Sequence, residues 1–402
     1  MSPAVDVPEG YKLTEVGVIP GDWGVRPFGD LTSTVASGRS KVNAAFGNYS
    51  VHGSTGVIGF SDVADYEGDA ILVARVGANA GKLNVVSGKY GVTDNTIMLR
   101  LRNDSFLSFF WRQLEGMRLN RLVFGSGQPL ITGSQLKALS VSVPPLPEQR
   151  AIATALSDVD ALLAKLDQLI AKKQGLKQAA MQQLLTGQTR LPGFSGEWDL
   201  RPLASVVSGL EAGVSVNSVD HMDPHSSTNP CILKTSAVFD GNFDPTECKL
   251  IDRRDLSRAK LSPRKDSIII SRMNTPNLVG EVGYVAEDFP NLNLPDRLWI
   301  TRFGSGADVS ARWLAYVMSS TQVKEVIKGL ATGTSGSMKN IAKGALLSLQ
   351  LTFPSYAEQT AIATLLSDMD AELAALEARQ GKTRALKQGM MQALLTGRIR
   401  LV

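Results

Sequence analysis

The sequence predicts an α+β fold in which two mixed, β-rich modules are joined by two long antiparallel helices with internal pseudo-twofold symmetry. Three observations lead to this prediction. One segment occurs twice, each copy has the apolar spacing of a long helix, and short β-prone runs precede each copy. The chain has 402 residues, 43% hydrophobic and 20% charged, which is the composition of a globular protein with more than one domain.

The repeat is long and has no gap. Residues Glu148–Leu191 return as Glu358–Leu401 at a constant offset of 210 residues. A weaker echo opens each half, GDWGVRPF at Gly21–Phe28 and GEWDLRPL at Gly196–Leu203, with an offset of 175 residues. The segment between opening motif and helix is therefore 35 residues longer in the second half. Constant ends with divergent middles indicate one scaffold that carries two different recognition surfaces.

Each copy of the repeat has apolar residues at alternating spacings of four and three, which predicts a coiled-coil seam on a long helix. The seam comprises Ile152, Leu156, Val159, Leu163, Leu166 and Ile170 in the first copy, and Ile362, Leu366, Met369, Leu373 and Leu376 in the second. Because both copies carry the same seam, we expect the two helices to pack against each other, antiparallel. Two alternatives remain: each helix packs on its own module, or the seam joins two chains.

The ends of the helices are marked by Leu-Thr-Gly, in which Gly187 and Gly397 supply the left-handed residue that terminates a helix. Lys173 and Lys177 occupy extrapolated seam positions, and Gly175 lies between them. Glycine inside a helix costs about 1 kcal/mol relative to alanine. A stutter or local bend is therefore predicted near Gly175.

The modules are predicted to be β-rich with one main helix each. In the first, the runs VHGSTGVIGF, AILVARVG, KLNVVSG and NTIMLRLR favour strands, and Ser105–Val123 favours a helix. In the second, CILKTSAV, SIIISRM, VGEVGYVA and DRLWITRF favour strands, and Ala311–Leu330 favours a helix. Both modules then pass through a Gly/Ser turn into a strand that ends at Pro144 or Pro354.

Several classes of protein are excluded or disfavoured by composition. No apolar stretch approaches the roughly 20 residues that span a bilayer. The opening residues lack a basic region followed by an apolar one, and Cys231 and Cys248 are too few for a disulfide framework. We therefore expect a cytoplasmic protein.

The net charge of +4 is unevenly distributed. Between Leu250 and Lys265, six cations accompany only two acids, and the rest of the chain sums to zero. The six cations are Arg253, Arg254, Arg258, Lys260, Arg264 and Lys265. Such a patch can bind phosphates, and it is equally consistent with a solvated loop.

Motifs for catalysis and metal binding are not found in the sequence. VGANAGKL at Val76–Leu83 lacks the first glycine and the final Ser or Thr of a phosphate-binding loop. The spacing of His52, His221 and His225 relative to the cysteines does not fit a metal site. The repeated pair Asp158 and Asp160 lies on a predicted helix, where solvated or partner-facing contacts are favoured over acid-base chemistry. These observations predict a binding protein with no catalytic residue, metal or cofactor.

The arrangement of motifs resembles the DNA-specificity subunit of Type I restriction-modification systems. The resemblance covers nearly the whole chain and is most specific at PPLPEQRAIA (Pro144–Ala153), PSYAEQTAIA (Pro354–Ala363) and the two LKQxxMQxLLTG helix ends. One departure is Ser355–Ala357, where the first copy has Pro-Leu-Pro. The resemblance implies target recognition domains at 1–147 and 191–357, a central spacer helix at 148–190 and a C-terminal spacer helix at 358–402.

The resemblance also implies a function. Each target recognition domain would bind one half of a bipartite, asymmetric DNA site, and the helices would set the gap, since one turn of B-DNA is about 34 Å. The implied partners are double-stranded DNA, two methylation subunits and, in the complete nuclease, restriction subunits. Adenine methylation and ATP-dependent cleavage, with S-adenosylmethionine, ATP and Mg, would belong to those partners. The alternative is a non-catalytic protein-protein scaffold built on the helical pair.

Residues for contacting DNA are chosen by type and by position on loops, because Arg, Lys, Asn, Gln, Ser, Thr and His can bind bases or phosphates. The candidates in the first module are Arg39, Lys41, Asn43, His52, Ser54, Arg75, Asn79, Lys82 and Gln128. The candidates in the second module are Lys234, Ser236, Arg272, Asn274, Asn277, Arg297, Ser337, Lys339 and Asn340. Gly77 and Gly81 are expected to shape turns.

Overall fold

The computed structural model describes residues 7–42, 45–123, 130–219, 230–333 and 337–401. The chain divides into two compact units: unit 1 comprises Met1–Gln168 with Glu377–Val402, and unit 2 comprises Leu169–Leu376. The sequence predicts four consecutive segments, whereas each compact unit combines one module with part of each long helix. The reason is that helix residues contribute directly to the core of each module.

Unit 1 is built from short strands and three short helices. The strands are β1 (Tyr11–Thr14), β2 (Gly17–Pro20), β3 (Gly24–Pro27), β4 (Thr32–Ser37), β5 (Tyr49–Gly53), β6 (Gly56–Ser61), β7 (Tyr66–Glu67), β8 (Ala70–Ala74), β9 (Leu83–Val86), β10 (Lys89–Val92), β11 (Thr96–Leu101) and β12 (Ser140–Val143). The helices are α1 (Phe28–Leu31), α2 (Leu107–Gly116) and α3 (Gly133–Lys137).

Two four-stranded sheets form the body of unit 1, in the orders β4-β11-β8-β9 and β6-β5-β10-β7. The first is antiparallel, and in the second β10 runs parallel to β5. All five residues of β8 are buried, which explains its uninterrupted apolar sequence AILVA. Two-stranded sheets β1-β2 and β3-β12 complete the unit.

Unit 2 repeats this plan with more strands. They are β13 (Asp199–Pro202), β14 (Val207–Ala212), β15 (Ser218–Val219), β16 (Cys231–Leu233), β17 (Val238–Phe239), β18 (Gly241–Phe243), β19 (Cys248–Ile251), β20 (Ser267–Ser271), β21 (Met273–Asn274), β22 (Val282–Val285), β23 (Leu292–Asn293), β24 (Leu298–Phe303), β25 (Ala331–Thr332), β26 (Lys339–Ile341) and β27 (Gln350–Phe353). Its short helices are α5 (Ala311–Ser319), α6 (Thr321–Gly329) and α7 (Lys343–Leu347).

The sheets of unit 2 have the orders β14-β24-β20-β22-β18-β17, β15-β19-β16-β23, β21-β26-β25 and β13-β27. The central strands correspond to those of unit 1: β14, β24, β20 and β22 match β4, β11, β8 and β9. In the second sheet β16 pairs antiparallel with β19 and parallel with β23, as β5 does with β6 and β10. Every β-prone run predicted from the sequence overlaps at least one strand.

A matched pair of glycines shows how closely the two plans agree. A Cβ added at Gly38 would lie 2.0 Å from the Val92 carbonyl oxygen, and one added at Gly213 would lie 1.6 Å from that of Leu294. Both glycines therefore allow a close backbone crossing between the two sheets of their own unit. They are separated by 175 residues, the offset of the opening motif.

The predicted module helices are shorter than expected. In place of Ser105–Val123, α2 ends at Gly116, and Arg118 has a φ of 51°. In place of Ala311–Leu330, two helices meet at Ser320, which is extended and whose hydroxyl donates to the Val317 carbonyl at 2.7 Å. That bond competes with helix continuation, which a pattern of apolar residues does not reveal.

The long helices are α4 (Leu146–Leu184) and α8 (Tyr356–Leu394), each of 39 residues at the same repeat positions. Gly187 and Gly397, just beyond them, have φ values of 70° and 71°, as the terminating role predicts. Helix α4 continues through Gly175 without a break. None of the helices in the described part of the chain is both long and apolar enough to cross a membrane.

Within each unit, the ion pairs between α4 and α8 show that the two helices are antiparallel. In unit 1, Asp160 of α4 pairs with Lys387 of α8 at 2.8 Å, and Asp167 pairs with Arg384 at 3.4 Å. Rising residue numbers on α4 thus meet falling numbers on α8.

In unit 2, the lysines at extrapolated seam positions form ion pairs. Lys173 lies 2.7 Å from Glu372, and Lys177 lies 2.5 Å from Asp370. A charged pair therefore replaces the apolar contact that the seam would make at this point.

The predicted seam has a second role. Ile152 and Leu156 are fully buried in the core of unit 1, beside Phe109 and Phe110 of α2. Ile362 and Leu366 are buried in the core of unit 2, beside Trp313 of α5. At these positions the helices pack on their own modules, one of the alternatives that the sequence leaves open.

Candidate nucleic-acid interface

In unit 1, Arg75 is the first residue after β8, and both its backbone amide and its backbone carbonyl form hydrogen bonds. The Arg75 amide donates to the Asn95 carbonyl at 2.9 Å, and the Arg75 carbonyl accepts from the Ile131 amide at 2.9 Å. Its guanidinium donates to Ser37 Oγ at 3.3 Å, and the side chain is half-buried. The fold therefore fixes the point from which this cationic side chain extends.

The loop that follows is a tight turn that carries Asn79, half-buried, and Lys82, exposed. The loop closes through a backbone hydrogen bond of 2.9 Å, which the Gly81 amide donates to the Ala74 carbonyl. Gly81 has a φ of 90°, and a Cβ there would lie 2.5 Å from the Asn120 nitrogen. Gly81 thus shapes the turn, as its residue type predicts.

Unit 2 has the same set of three bonds around Arg272. The Arg272 amide donates to the Arg297 carbonyl at 3.1 Å, and its carbonyl accepts from the Ile341 amide at 2.9 Å. The Gly280 amide, in a residue with a φ of 83°, donates back to the Ser271 carbonyl at 2.8 Å. Arg272 is therefore the structural counterpart of Arg75.

This equivalence is not visible in the sequence alone. Arg75 and Arg272 are 197 residues apart, which is neither of the two repeat offsets. Their neighbours differ: Asn95 in unit 1 corresponds to Arg297 in unit 2, and the loops VGANAG and MNTPNLVG share little sequence. The same framework thus presents an arginine among different polar residues.

Several predicted residues of unit 2 meet around Arg272. Strand β21 pairs with β26 so that Asn274 lies opposite Lys339 and Met273 lies opposite Asn340. The site comprises Arg272, Asn274, Arg297, Lys339 and Asn340. Nε of Arg272 and Oδ1 of Asn340 are buried without a hydrogen-bond partner among the described residues, so this site keeps unused hydrogen-bonding capacity.

Asn274 is the member whose side chain is most fully used locally, with two hydrogen bonds, whereas Lys339 donates one, to the Gly333 carbonyl at 3.0 Å. Asn274 is 9% exposed, its amide group donates to Ser271 Oγ at 3.1 Å, and its oxygen accepts from the Thr275 amide at 2.9 Å. These bonds indicate that Asn274 holds the loop in shape. Its selection as a DNA-contacting residue has less structural support than that of Arg272 or Lys339.

The remaining candidates of unit 2 lie apart from this cluster or at its margin. Asn277 and Ser337 are exposed on the loops that follow β21 and precede β26. Lys234 and Ser236 follow β16, and both are bound to Glu247, at 3.6 Å and 2.6 Å respectively. Contacts within the protein therefore use part of the hydrogen-bonding capacity of these two side chains.

In unit 1, Arg39 and Lys41 are exposed on the segment after β4, and Ser54 lies in the turn between β5 and β6. They are not bonded to the Arg75 loop in the described part of the chain. Asn43 and Gln128 lie outside the described residues.

His52 is placed in β5, where its ring is half-buried. A ring nitrogen lies 3.0 Å from Ser50 Oγ, and the ring meets Tyr90 edge-on with centroids 6.2 Å apart. Burial lowers the pKa of His52 below its ordinary 6.5, because the charged form loses solvation. The loss of solvation therefore disfavours the cationic form of His52, which is the form that would pair with a phosphate.

A buried carboxylate that sequence reasoning missed anchors α4 in unit 1. Glu148, fully buried, accepts from Arg400 at 2.6 Å and 2.8 Å and from the Trp23 indole nitrogen at 2.9 Å. Arg400 also pairs with the exposed Asp22, and this contact lowers the pKa of that carboxyl. The opening motif, the helix start and the end of the repeat thus meet at one ion pair.

Unit 2 contains the equivalent ion pair with one bond fewer. Glu358 is fully buried and accepts two bonds of 2.5 Å from Arg190, whose pKa is raised by this contact. The indole nitrogen of Trp198, the counterpart of Trp23, has no partner among the described residues. The signal for both clusters was present in the sequence, since Trp, Glu and Arg recur together in both halves.

The glutamine of each Glu-Gln motif has a structural role as well. Gln149 accepts from the Phe106 amide at 2.9 Å, and Gln359 accepts from the Ser310 amide at 2.9 Å. These amides precede α2 and α5, so each glutamine fixes the start of a module helix against a long helix.

One aspartate of each repeated pair is held by ion pairs or hydrogen bonds, whereas the other, Asp158 or Asp368, is exposed. Asp160 pairs with Arg112 and Lys387. Asp370 accepts from the Tyr316 hydroxyl at 2.5 Å and pairs with Lys177 at 2.5 Å. Both carboxylates tie a module helix to the paired long helices, and this arrangement is structural.

No group of three His, Cys, Asp or Glu side chains that could hold a metal ion occurs among the described residues. His221 and His225 lie outside them. Cys231 and Cys248 lie on the paired strands β16 and β19, and burial raises the pKa of Cys248 to about 12.

Comparisons with known proteins agree with these observations. Residues 20–176 match the family described as "Type I restriction modification DNA specificity domain". Among curated proteins, a putative type I restriction enzyme MjaX specificity subunit from Methanocaldococcus jannaschii is 25% identical, covering 98% of this chain and 97% of its own length. The Type I restriction enzyme MjaVIII specificity subunit of the same organism is 23% identical, covering 82% and 79%.

The fold has counterparts among solved structures. The S subunit of a Type-I restriction-modification system from M. genitalium superimposes with a TM-score of 0.65 at 15% identity, covering 95% of this chain and 97% of its own. A second structure, described for complex assembly and conformational transition of the type I R-M system, gives 0.55 at 15% identity, covering 95% and 99%. The sequence matches and the shared fold lead to one conclusion: residues 20–176 match the Type I restriction modification DNA specificity domain, and nearly the whole chain is similar in sequence and fold to specificity subunits of Type I restriction-modification systems.

Proposed function

We propose that each unit of this protein binds one half of a bipartite, asymmetric DNA site. The observation that carries the proposal is a set of three backbone hydrogen bonds that occurs in both units, around Arg75 in unit 1 and around Arg272 in unit 2. We call this set of bonds the clamp. A guanidinium can bind guanine through two hydrogen bonds in the major groove, and neighbouring polar groups then extend the recognised sequence. Because the clamp is shared while its neighbours differ, the two half-sites differ in sequence.

The cluster in unit 2 is suited to a polar and anionic ligand. Arg297 and Lys339 add positive charge beside Arg272, and Asn340 adds a hydrogen-bonding amide. In unit 1 the corresponding groups are Asn79 and Lys82 on the loop after Arg75. We expect Lys82 and Lys339 to bind phosphates, and the arginines and asparagines to bind base edges.

The long helices set the gap between the half-sites in this proposal. Each is a continuous helix of 39 residues, about 58 Å at 1.5 Å per residue. Insertion of four residues after Leu169 and four after Arg379, the same position of the repeat, adds about 6 Å of helix. We expect the gap to widen by about two base pairs, with both half-sites unchanged. An unchanged gap would contradict this role of the helices.

Partner chains complete the activity. We propose that two methylation subunits, with restriction subunits in the complete nuclease, assemble with this chain in the cytoplasm and are directed by it to the DNA site. S-adenosylmethionine, ATP and Mg belong to those partners, which carry out adenine methylation and ATP-dependent cleavage. This chain contributes recognition and orientation.

Methylation profiling tests the proposal. The chain is expressed with its partner subunits in a host free of other adenine methylation, and the methylated adenines are mapped. We expect one motif with two specific blocks separated by a fixed run of unspecified bases. A single uninterrupted motif, or a motif independent of this chain, would refute the proposal.

A further inference from the structure

The most asymmetric feature of the two units is the connection that leads into the central strand of each main sheet. In unit 2 the connection from β19 to β20 is Asp252–Asp266, and in unit 1 the connection from β6 to β8 is Asp62–Asp69, which includes the two-residue strand β7. Since β6 and β8 correspond to β19 and β20, these segments occupy equivalent places in their own units.

The two connections carry opposite charge. Asp62–Asp69 contains four acids and no cation, whereas Asp252–Asp266 contains six cations and three acids. All four acids of the first connection and all six cations of the second are exposed. A difference of this size at one topological position indicates that only one of the two surfaces meets a polyanion.

The acids within the basic connection are used to fix its backbone. Asp252 accepts from the Arg254 amide at 3.0 Å. Asp255, 7% exposed, accepts from the Asn217 amide at 2.8 Å and from Arg258 at 2.9 Å, and these bonds lower its pKa. The two carboxylates hold a short 3₁₀ turn in place and leave the outer surface to the cations.

The second part of the connection is also held by its own unit. The Leu261 carbonyl accepts from the Leu294 amide at 2.8 Å, and the Lys265 amide donates to Asp288 Oδ1 at 2.8 Å. Arg264 and Lys265 line a cleft of about 200 Å³ at the start of β20. The backbone is therefore ordered before any ligand binds, which lowers the entropic cost of binding.

Five of the six cations form no ion pair with described residues, and their side chains make no hydrogen bond within the described chain. They are Arg253, Arg254, Lys260, Arg264 and Lys265. Arg258, by contrast, is paired with Asp255. The unpaired cations are thus available to an external anion.

We propose that the basic connection Asp252–Asp266 binds backbone phosphates of the DNA duplex beside the half-site that unit 2 recognises, and that unit 1 lacks this contact. The proposal rests on the DNA-binding function proposed above. Strand β20 separates Arg272 from the connection by five residues, about 17 Å, which is half a turn of B-DNA. The cations then reach phosphates outside the bases contacted by Arg272, and they add affinity without specificity.

The test uses the full chain assembled with its methylation subunits and two DNA duplexes, one with the mapped motif and one without it. Binding is measured across a series of salt concentrations for the wild type and for the triple variant R253Q/R254Q/K260Q. The slope of log K against log salt is negative, where K is the association constant for DNA, and each lost phosphate contact makes it less steep by about 0.9. We therefore expect the slope to become less steep by about 1 to 3 for both duplexes. The ratio of the binding constants for the two duplexes is expected to stay unchanged.

The matched control is D62N/D65N/E67Q in unit 1, which is expected to leave the slope at its wild-type value or to make it steeper. A second variant, R264Q/K265Q, alters the other end of the basic connection and is expected to make the slope less steep as well. An unchanged slope in both basic variants, or loss of subunit assembly with DNA binding intact, would overturn the proposal. Failure of the proposed function would look different, because the wild type would then bind both duplexes equally.

Discussion

The two units of this protein share their internal contacts and differ in what they expose. Each has a buried glutamate bound by an arginine, a glutamine that fixes a module helix, an aspartate joined to a lysine, and an arginine held between two backbone hydrogen bonds. The surfaces around these contacts have diverged in length, charge and polar residues. Duplication therefore preserves what the fold needs, and our proposal assigns recognition to the places where the copies differ.

The largest expected effect concerns the buried glutamates. Arg190→Ala leaves Glu358 buried without its charged partner, and loss of one partner of such a pair costs about 3–5 kcal/mol. Arg400→Ala leaves Glu148 with the Trp23 hydrogen bond, so we expect its cost to be smaller by about 1–2 kcal/mol. Urea unfolding followed by circular dichroism measures both, with Arg190→Lys and Arg400→Lys as controls. Equal costs would show that Trp23 does not distinguish the units.

The next effect separates the two half-sites. Arg75→Ala and Arg272→Ala each remove one proposed base contact, which is worth about 1–3 kcal/mol in DNA binding. We expect each variant to relax sequence preference in one half-site only, measured by binding to duplexes with single substitutions in either half. Lys82→Ala serves as a comparison, because loss of a phosphate contact weakens binding evenly across sequences. Relaxation of the same half-site by both arginine variants would contradict the division of labour.

A smaller effect compares the lysines at seam positions. Lys387→Met leaves Asp160 paired with Arg112, whereas Lys177→Met leaves Asp370 with the Tyr316 hydroxyl as its one partner among the described residues. Methionine also restores an apolar seam residue, so we expect Lys387→Met to change the unfolding free energy by less than about 0.5 kcal/mol. Lys177→Met is expected to cost about 1 kcal/mol more. Thermal unfolding of the two variants gives the comparison, and a larger loss for Lys387→Met would contradict it.

The smallest effect is a pH dependence confined to unit 1. The pKa of His52 is depressed in the folded state, so its contribution to stability is complete above the unfolded pKa of about 6.5. It is lost as the pH falls from there through the folded pKa, because the unfolded chain then binds the proton more strongly. We expect the wild type to lose more stability than His52→Gln on mild acidification. Identical pH profiles would show that His52 is not desolvated.

Most of the scaffold could be predicted from the sequence. The gapless repeat predicted two long helices with the same ends, and the β-prone runs predicted strands such as β8, β11, β20 and β24, whereas β4, β14 and β19 were not predicted. The breaks at Gly116 and Ser320 were not predictable, because they depend on local hydrogen bonds that an apolar pattern does not report. The same holds for the division into units, which depends on long-range packing.

The candidate site was only partly predictable. Residue type selected Arg75, Arg272 and Lys339 without showing that the two arginines are equivalent, since loops of different length separate them from the repeats. It also selected His52 and Asn274, whose side chains are half-buried and buried, respectively, and form hydrogen bonds within the protein. Burial of a polar residue on a loop depends on tertiary neighbours, and one sequence does not contain that information.

The central claim is that each unit determines one half-site, and an exchange of modules tests it most directly. In the proposed variant Asp199–Phe353 is replaced by a second copy of Gly24–Val143, so that strands β3 and β12 take the places of β13 and β27. The variant is expressed with the partner subunits, and the methylated motif is mapped. We expect a motif with two copies of the first half-site. Persistence of the original second half-site would contradict it.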